Sequence, residues 1–114
     1  MDVRFADRKL EKECNDGRLL QRRHGERRAK LLKTRLAVLV SAACLADLGP
    51  PYRGPMRCHE LTGNRAGQLS IDLDQPYRLI FLPDHQPPPT RAEGGLDWAA
   101  VTAIVILEIA DTHE

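Results

Sequence analysis

Between Met56 and Phe81 the chain reads MRCHELTGNRAGQLSIDLDQPYRLIF. Over much of that length the apolar residues recur at every second position: Leu69, Ile71 and Leu73 alternate with Gln68, Ser70 and Asp72. A period of two sends successive side chains to opposite faces of a strand, so the pattern predicts half-buried strands. Met56 and Cys58, with Glu60 as an outward-facing partner, make a strand before it, and Gly63 to Gly67 joins the two in a tight polar hairpin. Asp74-Gln75-Pro76 then turns the chain into a third strand, Tyr77 to Leu82.

On the C-terminal side, Pro83 to Gly95 holds four prolines and two glycines and reads as a surface loop. Asp97 caps a single turn through Trp98 and Ala100. Val101 to Ile109 is almost wholly apolar and rich in β-branched residues, which predicts a central strand covered on both faces. On the N-terminal side, Leu48-Gly49-Pro50-Pro51 stops helix formation, because proline has no N–H to donate. Before it the period changes to that of a helix, with Leu32, Leu36, Leu39 and Ala43 on one stripe of a stretch from about Arg18 to Ala46. Gly25 stands inside that stretch as either an internal cost or a real break. Asp7 caps a shorter helix carrying Leu10 and Cys14, ended by Asn15-Asp16-Gly17, and Val3-Arg4-Phe5 reads as an edge strand. The order β-α-α-β-β-β-β defines an α+β domain: a small, mostly antiparallel sheet with two N-terminal helices packed on one face. The 114 residues suit one domain, with 83–98 as a Pro/Gly-rich loop insertion.

The formal net charge of +1 conceals a split. Residues 1–36 carry 12 Lys/Arg against 6 Asp/Glu, a balance of +6, while residues 37–114 carry 5 against 10, a balance of −5. Such asymmetry points to an interaction surface. Arg23, Arg27 and Lys30 share one face of the expected helix, with Arg22, Arg28, Lys33 and Arg35 nearby. The first residues are charged and show no secretory pattern, and the apolar stretches Leu36–Leu48 and Ala99–Ile109 fall short of the roughly 20 residues that span a bilayer. Cys14, Cys44 and Cys58 are odd in number and widely spaced, as expected of free thiols in a reducing cytoplasm. His24, His59, His85 and His113 show no zinc spacing with any cysteine, so no metal site is expected.

With these residues in place, the chain resembles HigB-type toxins of the RelE/ParE superfamily. The stretch Met56–Phe81 is similar to their central hairpins, and GGLDWAAVTAIVILEIADTHE at the C-terminus is similar to the branch known as plasmid maintenance system killer or killer suppression proteins. The basic helix GERRAKLLKTRLAVL fits the same scheme. The resemblance is carried by three motifs together: His-x-Leu-x-Gly-x-Arg, Pro-Tyr-Arg-Leu-Ile-Phe and a final Asp-x-His. It implies the toxin half of a toxin–antitoxin pair, paired with a helix-turn-helix, HigA-like antitoxin. It also implies metal-independent, cofactor-free cleavage of mRNA, usually on the ribosome.

That chemistry needs a base for the 2′-hydroxyl proton, cations for the phosphate and an acid for the 5′-oxygen. Carried onto matching positions, the resemblance assigns Arg65 and Arg78 as phosphate clamps, whose planar forks bind two oxygens at once. His113 becomes the proton-transfer group, Asp111 its orienter and His59 a second proton-transfer candidate. Arg22, Arg23, Arg27 and Lys30 would contact RNA. The sequence departs from the family at Thr62 and Ala66, where HigB-type toxins carry lysine, at Asn64 for an aspartate, at Gln68-Leu69 for an aromatic, and at Thr112 for a tyrosine. A second reading follows from those losses: a toxin fold with degraded chemistry, binding antitoxin or ribosome without cutting.

Overall fold

A computed structural model describes residues 1–112. Strand β1 (Asp2–Phe5) is followed by helices α1 (Arg8–Cys14), α2 (Gly17–His24) and α3 (Glu26–Ser41). Strands β2 (His59–Glu60), β3 (Leu69–Asp72), β4 (Tyr77–Pro83) and β5 (Ala103–Asp111) come after them. The sheet order is β1-β5-β4-β3-β2, antiparallel except where β1 runs parallel to β5. The expected α+β architecture is what the chain adopts.

Helices α1 and α2 start where an aspartate side chain can accept the orphan N–H groups of the first turn, whereas α3 follows Gly25 with no side-chain cap. Asp7 accepts from Lys9 and Leu10, and Asp16 from Arg18 and Leu19. The long helical stretch divides at Gly25, whose φ of 83° and ψ of 162° are open to glycine and strained for other residues. Among the described residues there are thus three α-helices rather than two, and α3 ends at Ser41, short of Ala46. The start of α2 lies beside Lys33, so α2 folds back along the first half of α3.

Helix residues Leu10, Leu20, Ala29, Leu32 and Leu39 pack with sheet residues Leu69, Ile71, Leu79, Phe81, Ile104 and Ile106 in one core. The alternation on β3 and β4 is what lets one sheet face enter it. Cys58 also sits there, and burial pushes its thiol up to about 12, with Glu60 adding to the shift. In β5, Ile104, Val105 and Ile106 are all buried, so the strand is covered on both faces over its first half only. A register shift between Ile80 and Phe81 of β4 marks the change. The expected cap is present: Asp97 accepts from Ala99 at the 3₁₀ turn Trp98–Ala100. No helix among the described residues is long and apolar enough to cross a membrane.

Candidate functional site

The pleat sorts the polar residues of the sheet by parity. Leu69, Ile71, Leu79 and Phe81 face the helices, so Ser70, Asp72, Arg78 and Ile80 face the other way. Register extends this helix-free face, buried at Ser70, Ile80 and His59 and open around Arg57, Arg65 and Glu108, to His59 opposite Ser70 on one side, and to Glu108 opposite Ile80 and Ala110 opposite Arg78 on the other. His59, Arg65 and Arg78, distant in sequence, are thereby brought to one side of the sheet, with His59 buried there beside Ser70.

Both arginines already have carboxylate partners. Arg78 Nε lies 3.3 Å from Asp72 Oδ1, and its Nη1 donates to Thr112 Oγ1 at 3.0 Å. The Nε–Oδ1 pair falls short of hydrogen-bond geometry, and both atoms are buried without another partner. Asp72 also holds Arg57, whose Nη1 is 3.6 Å from Oδ2. Arg65 Nη1 donates to Gln68 Oε1 at 3.0 Å and lies 3.5 Å from Glu108 Oε2. Two of the family departures, Gln68 and Thr112, are therefore the residues that hold the arginines in place.

His59 is only 6% exposed, in contrast to a half-exposed strand histidine. Its Nδ1 donates to the Glu60 carbonyl at 3.1 Å, which leaves Nε2 to accept from the Ser70 hydroxyl at 3.5 Å. Tyr52 stacks on its ring, with centroids 4.1 Å apart and planes at 12°. A histidine so engaged orients its neighbours more readily than it exchanges protons with a substrate. The strand expected from Met56 is shortened because Arg57 has a φ of 49°, which breaks the extended run before His59. Glu60 lies beyond the core at the sheet edge, where it accepts from the Trp98 indole at 3.2 Å.

Asp111 is opposite Tyr77, on the helix-side parity shared with Leu79 and Ile109. It does not share the open face with Arg78, because it is one residue out of phase with Ala110. His113 lies outside the described residues. The basic helix residues are divided by the break at Gly25: Arg22 and Arg23 end α2, and Arg27 and Lys30 begin α3. All four are exposed, but they form no continuous stripe. Arg23 lines a cleft of about 410 Å³ with His24, Glu13 and Glu108, the last being the carboxylate beside Arg65. Arg28 and Arg35, which sequence placed with the basic face, turn instead onto the sheet. Arg28 donates to both Asp74 oxygens at 2.9 and 3.1 Å and covers the Tyr77 ring at 4.0 Å, while Arg35 donates to the Asp72 carbonyl.

Sequence reasoning missed Tyr52, Arg57, Asp72 and Glu108. Asp72 was legible as the polar partner of Ile71 and Leu73, and Glu108 as a lone charge in an apolar strand. Tyr52, between two prolines and Gly54, carried no local signal. Among the described residues, no group of three or more His, Cys, Asp or Glu is arranged to hold a metal ion.

This sheet, with its helical layer on one face and charged residues on the other, is a fold the chain shares with a solved toxin. The structure is similar to that of a YoeB/ParE toxin from Agrobacterium tumefaciens, with a TM-score of 0.57 over 99% of this chain and 100% of that one. The two share 8% sequence identity. No family model matches the sequence, and neither does any curated protein.

Proposed function

We propose that this chain is the toxin of a toxin–antitoxin pair, a HigB-like endoribonuclease that cuts translated mRNA in the cytoplasm with the open sheet face as its RNA surface. The observation that carries this is the gathering of Arg65 and Arg78 on one face of a toxin fold, at positions the family motifs assign to phosphate. In the reaction, the 2′-hydroxyl of the substrate attacks the adjacent phosphorus and the 5′-oxygen leaves. Arg78 is the cation best held for the charge that develops, since Thr112 and Asp72 fix its fork. Arg65, on the neighbouring hairpin, takes a second phosphate oxygen or the next phosphate. Proton transfer is the role of His113; Asp111, on the other face of the strand from Arg78, is not placed to act on the same phosphate. The ribosome meets Arg22, Arg23, Arg27 and Lys30 on the helical layer. The partner is a helix-turn-helix antitoxin, and the exposed Val38 (42%) and Val40 (59%) on α3 are apolar surface open to it.

Induction in cells with mapping of mRNA 5′ ends tests this. Growth arrest and cleavage within translated codons are expected, with relief by Arg78→Ala or His113→Ala. Harmless wild type, or variants just as toxic, would remove the assigned site.

A second reading is favoured by the carboxylates. Asp72 and Glu108 neutralise the two arginines within the chain, as suits a toxin fold that binds without cutting. In that case the chain forms a stable complex with the product of the neighbouring reading frame and yields no new 5′ ends. Failure of the two products to associate would sink it.

A further inference from the structure

The segment between the 3₁₀ turn Leu45–Leu48 and β2 is folded tightly against the open face. Tyr52 N–H donates to the Cys58 carbonyl at 3.1 Å, Arg57 N–H to Gly54 at 3.0 Å, and Asp72 N–H to Met56 at 2.9 Å. Gly54 is pressed onto the Leu48 carbonyl so closely that a Cβ would lie 2.0 Å from its oxygen. Tyr52 and Arg57 are the residues other than glycine with positive φ among the described residues, at 66° and 49°. Strain of this kind persists only where the surroundings impose it, and it marks sites worth questioning.

Both strained residues present their side chains to the open face. One side of the Tyr52 ring lies on His59, which its own two hydrogen bonds hold still. The residue is nevertheless 56% exposed, so the outer side of the ring is bare. Tyr77, the other exposed tyrosine, has its ring covered by Arg28. Arg57 shares Asp72 with Arg78, so two guanidinium groups face one carboxylate and leave a net positive charge. At 3.6 Å the Arg57 pair is long and forms no hydrogen bond, so the half-exposed Arg57 guanidinium keeps its donors for another anion, while Arg78, whose Nε is buried, adds its charge from beneath.

We propose that Tyr52 and Arg57 form a nucleotide subsite for single-stranded RNA, in which a base stacks on the bare side of the Tyr52 ring and a phosphate is bound between Arg57 and Arg78. An aromatic platform beside paired cations is the combination by which proteins hold unpaired bases. Tyr52 thus supplies, from the loop before β2, an aromatic surface that the hairpin itself lacks at Gln68-Leu69. The subsite rests on the RNA reading given above, and the test separates the two.

Purified full-length chain is titrated into a labelled, uncleavable 2′-O-methyl oligoribonucleotide, and binding is followed by fluorescence anisotropy at several KCl concentrations. Tyr52→Ala and Tyr52→Gly are expected to weaken binding about 5- to 100-fold with an unchanged salt slope, and Tyr52→Phe by no more than about twofold. Arg57→Ala is expected to lower the salt slope by about 0.7. Tyr52→Gly keeps the fold, because glycine tolerates the positive φ, and its thermal midpoint checks this. If wild type binds and both truncated variants bind equally well, the subsite is overturned and the RNA reading stands. If wild type does not bind the oligonucleotide, the RNA reading fails and the subsite with it. If Tyr52→Gly spares RNA binding but abolishes co-purification with the neighbouring frame's product, the loop is a protein surface and the subsite is overturned.

Discussion

Asp72 carries two guanidinium groups on one carboxylate, with Arg78 on Oδ1 and Arg57 on Oδ2. A phosphate bound between Arg57 and Arg78, as proposed, has to compete with that carboxylate. Asp72→Asn is therefore expected to tighten binding of a single-stranded oligoribonucleotide and to steepen its salt dependence by up to about 0.7, the contribution of one freed cation. Anisotropy titrations at several KCl concentrations measure this, and unchanged affinity would mean that Asp72 does not oppose the ligand. Arg78→Ala should do the reverse. It should also lower stability by about 1–2 kcal/mol, since it strands a buried carboxylate oxygen and the Thr112 hydroxyl. The positions of Arg65 and Arg78 in the motifs were readable from sequence, whereas their carboxylate partners lie 43 and 6 residues away and required the sheet register.

The break between α2 and α3 is the feature of the helical layer that most affects the surface. At φ 83° and ψ 162° Gly25 occupies a region used almost only by glycine, distinct from the left-handed helical region that asparagine tolerates. Nothing crowds its missing Cβ, so the cost of a side chain there is purely conformational. Gly25→Ala should destabilise the chain by about 1–3 kcal/mol in urea unfolding, and Gly25→Asn should give no relief. A second junction ties α3 to the β3–β4 turn. The hydrogen bonds from Arg28 hold the Asp74 carboxyl below its ordinary value, against a smaller opposing effect of burial. A depressed folded pKa gives stability that is present above the ordinary aspartate range and is lost as pH falls through and below it. Asp74→Asn should accordingly cost about 1 kcal/mol at pH 7, the pair being partly exposed, and the gap from wild type should narrow as pH falls through the ordinary aspartate range and below it. Chemical denaturation at pH 7 and at acid pH decides it; a gap that does not narrow in acid would place the contribution elsewhere.

For the molecule as a whole, the charge split between the first 36 residues and the rest becomes a split between layers. The helical layer spends Arg28 and Arg35 on the acidic sheet and leaves Arg22, Arg23, Arg27 and Lys30 exposed around the Gly25 turn. Replacing those four with Gln should weaken co-sedimentation with ribosomes at least tenfold at low salt while leaving the unfolding free energy within about 0.5 kcal/mol per site. Equal co-sedimentation would remove the helical layer from the RNA contact. Local pattern in the sequence was sufficient for the class of fold, because strand alternation and the Asp7 and Asp97 caps act over a few residues. Arg65 and Arg78 were proposed from the resemblance of the motifs around them rather than from local pattern. Other assignments depended on how elements meet: whether Gly25 bends or breaks the helix, which face Asp111 joins, which carboxylates neutralise the arginines, and that Tyr52 lies on a buried His59. A backbone angle, the phase of a strand and a pairing between distant residues are fixed by packing across the chain, and no short window of sequence contains both partners.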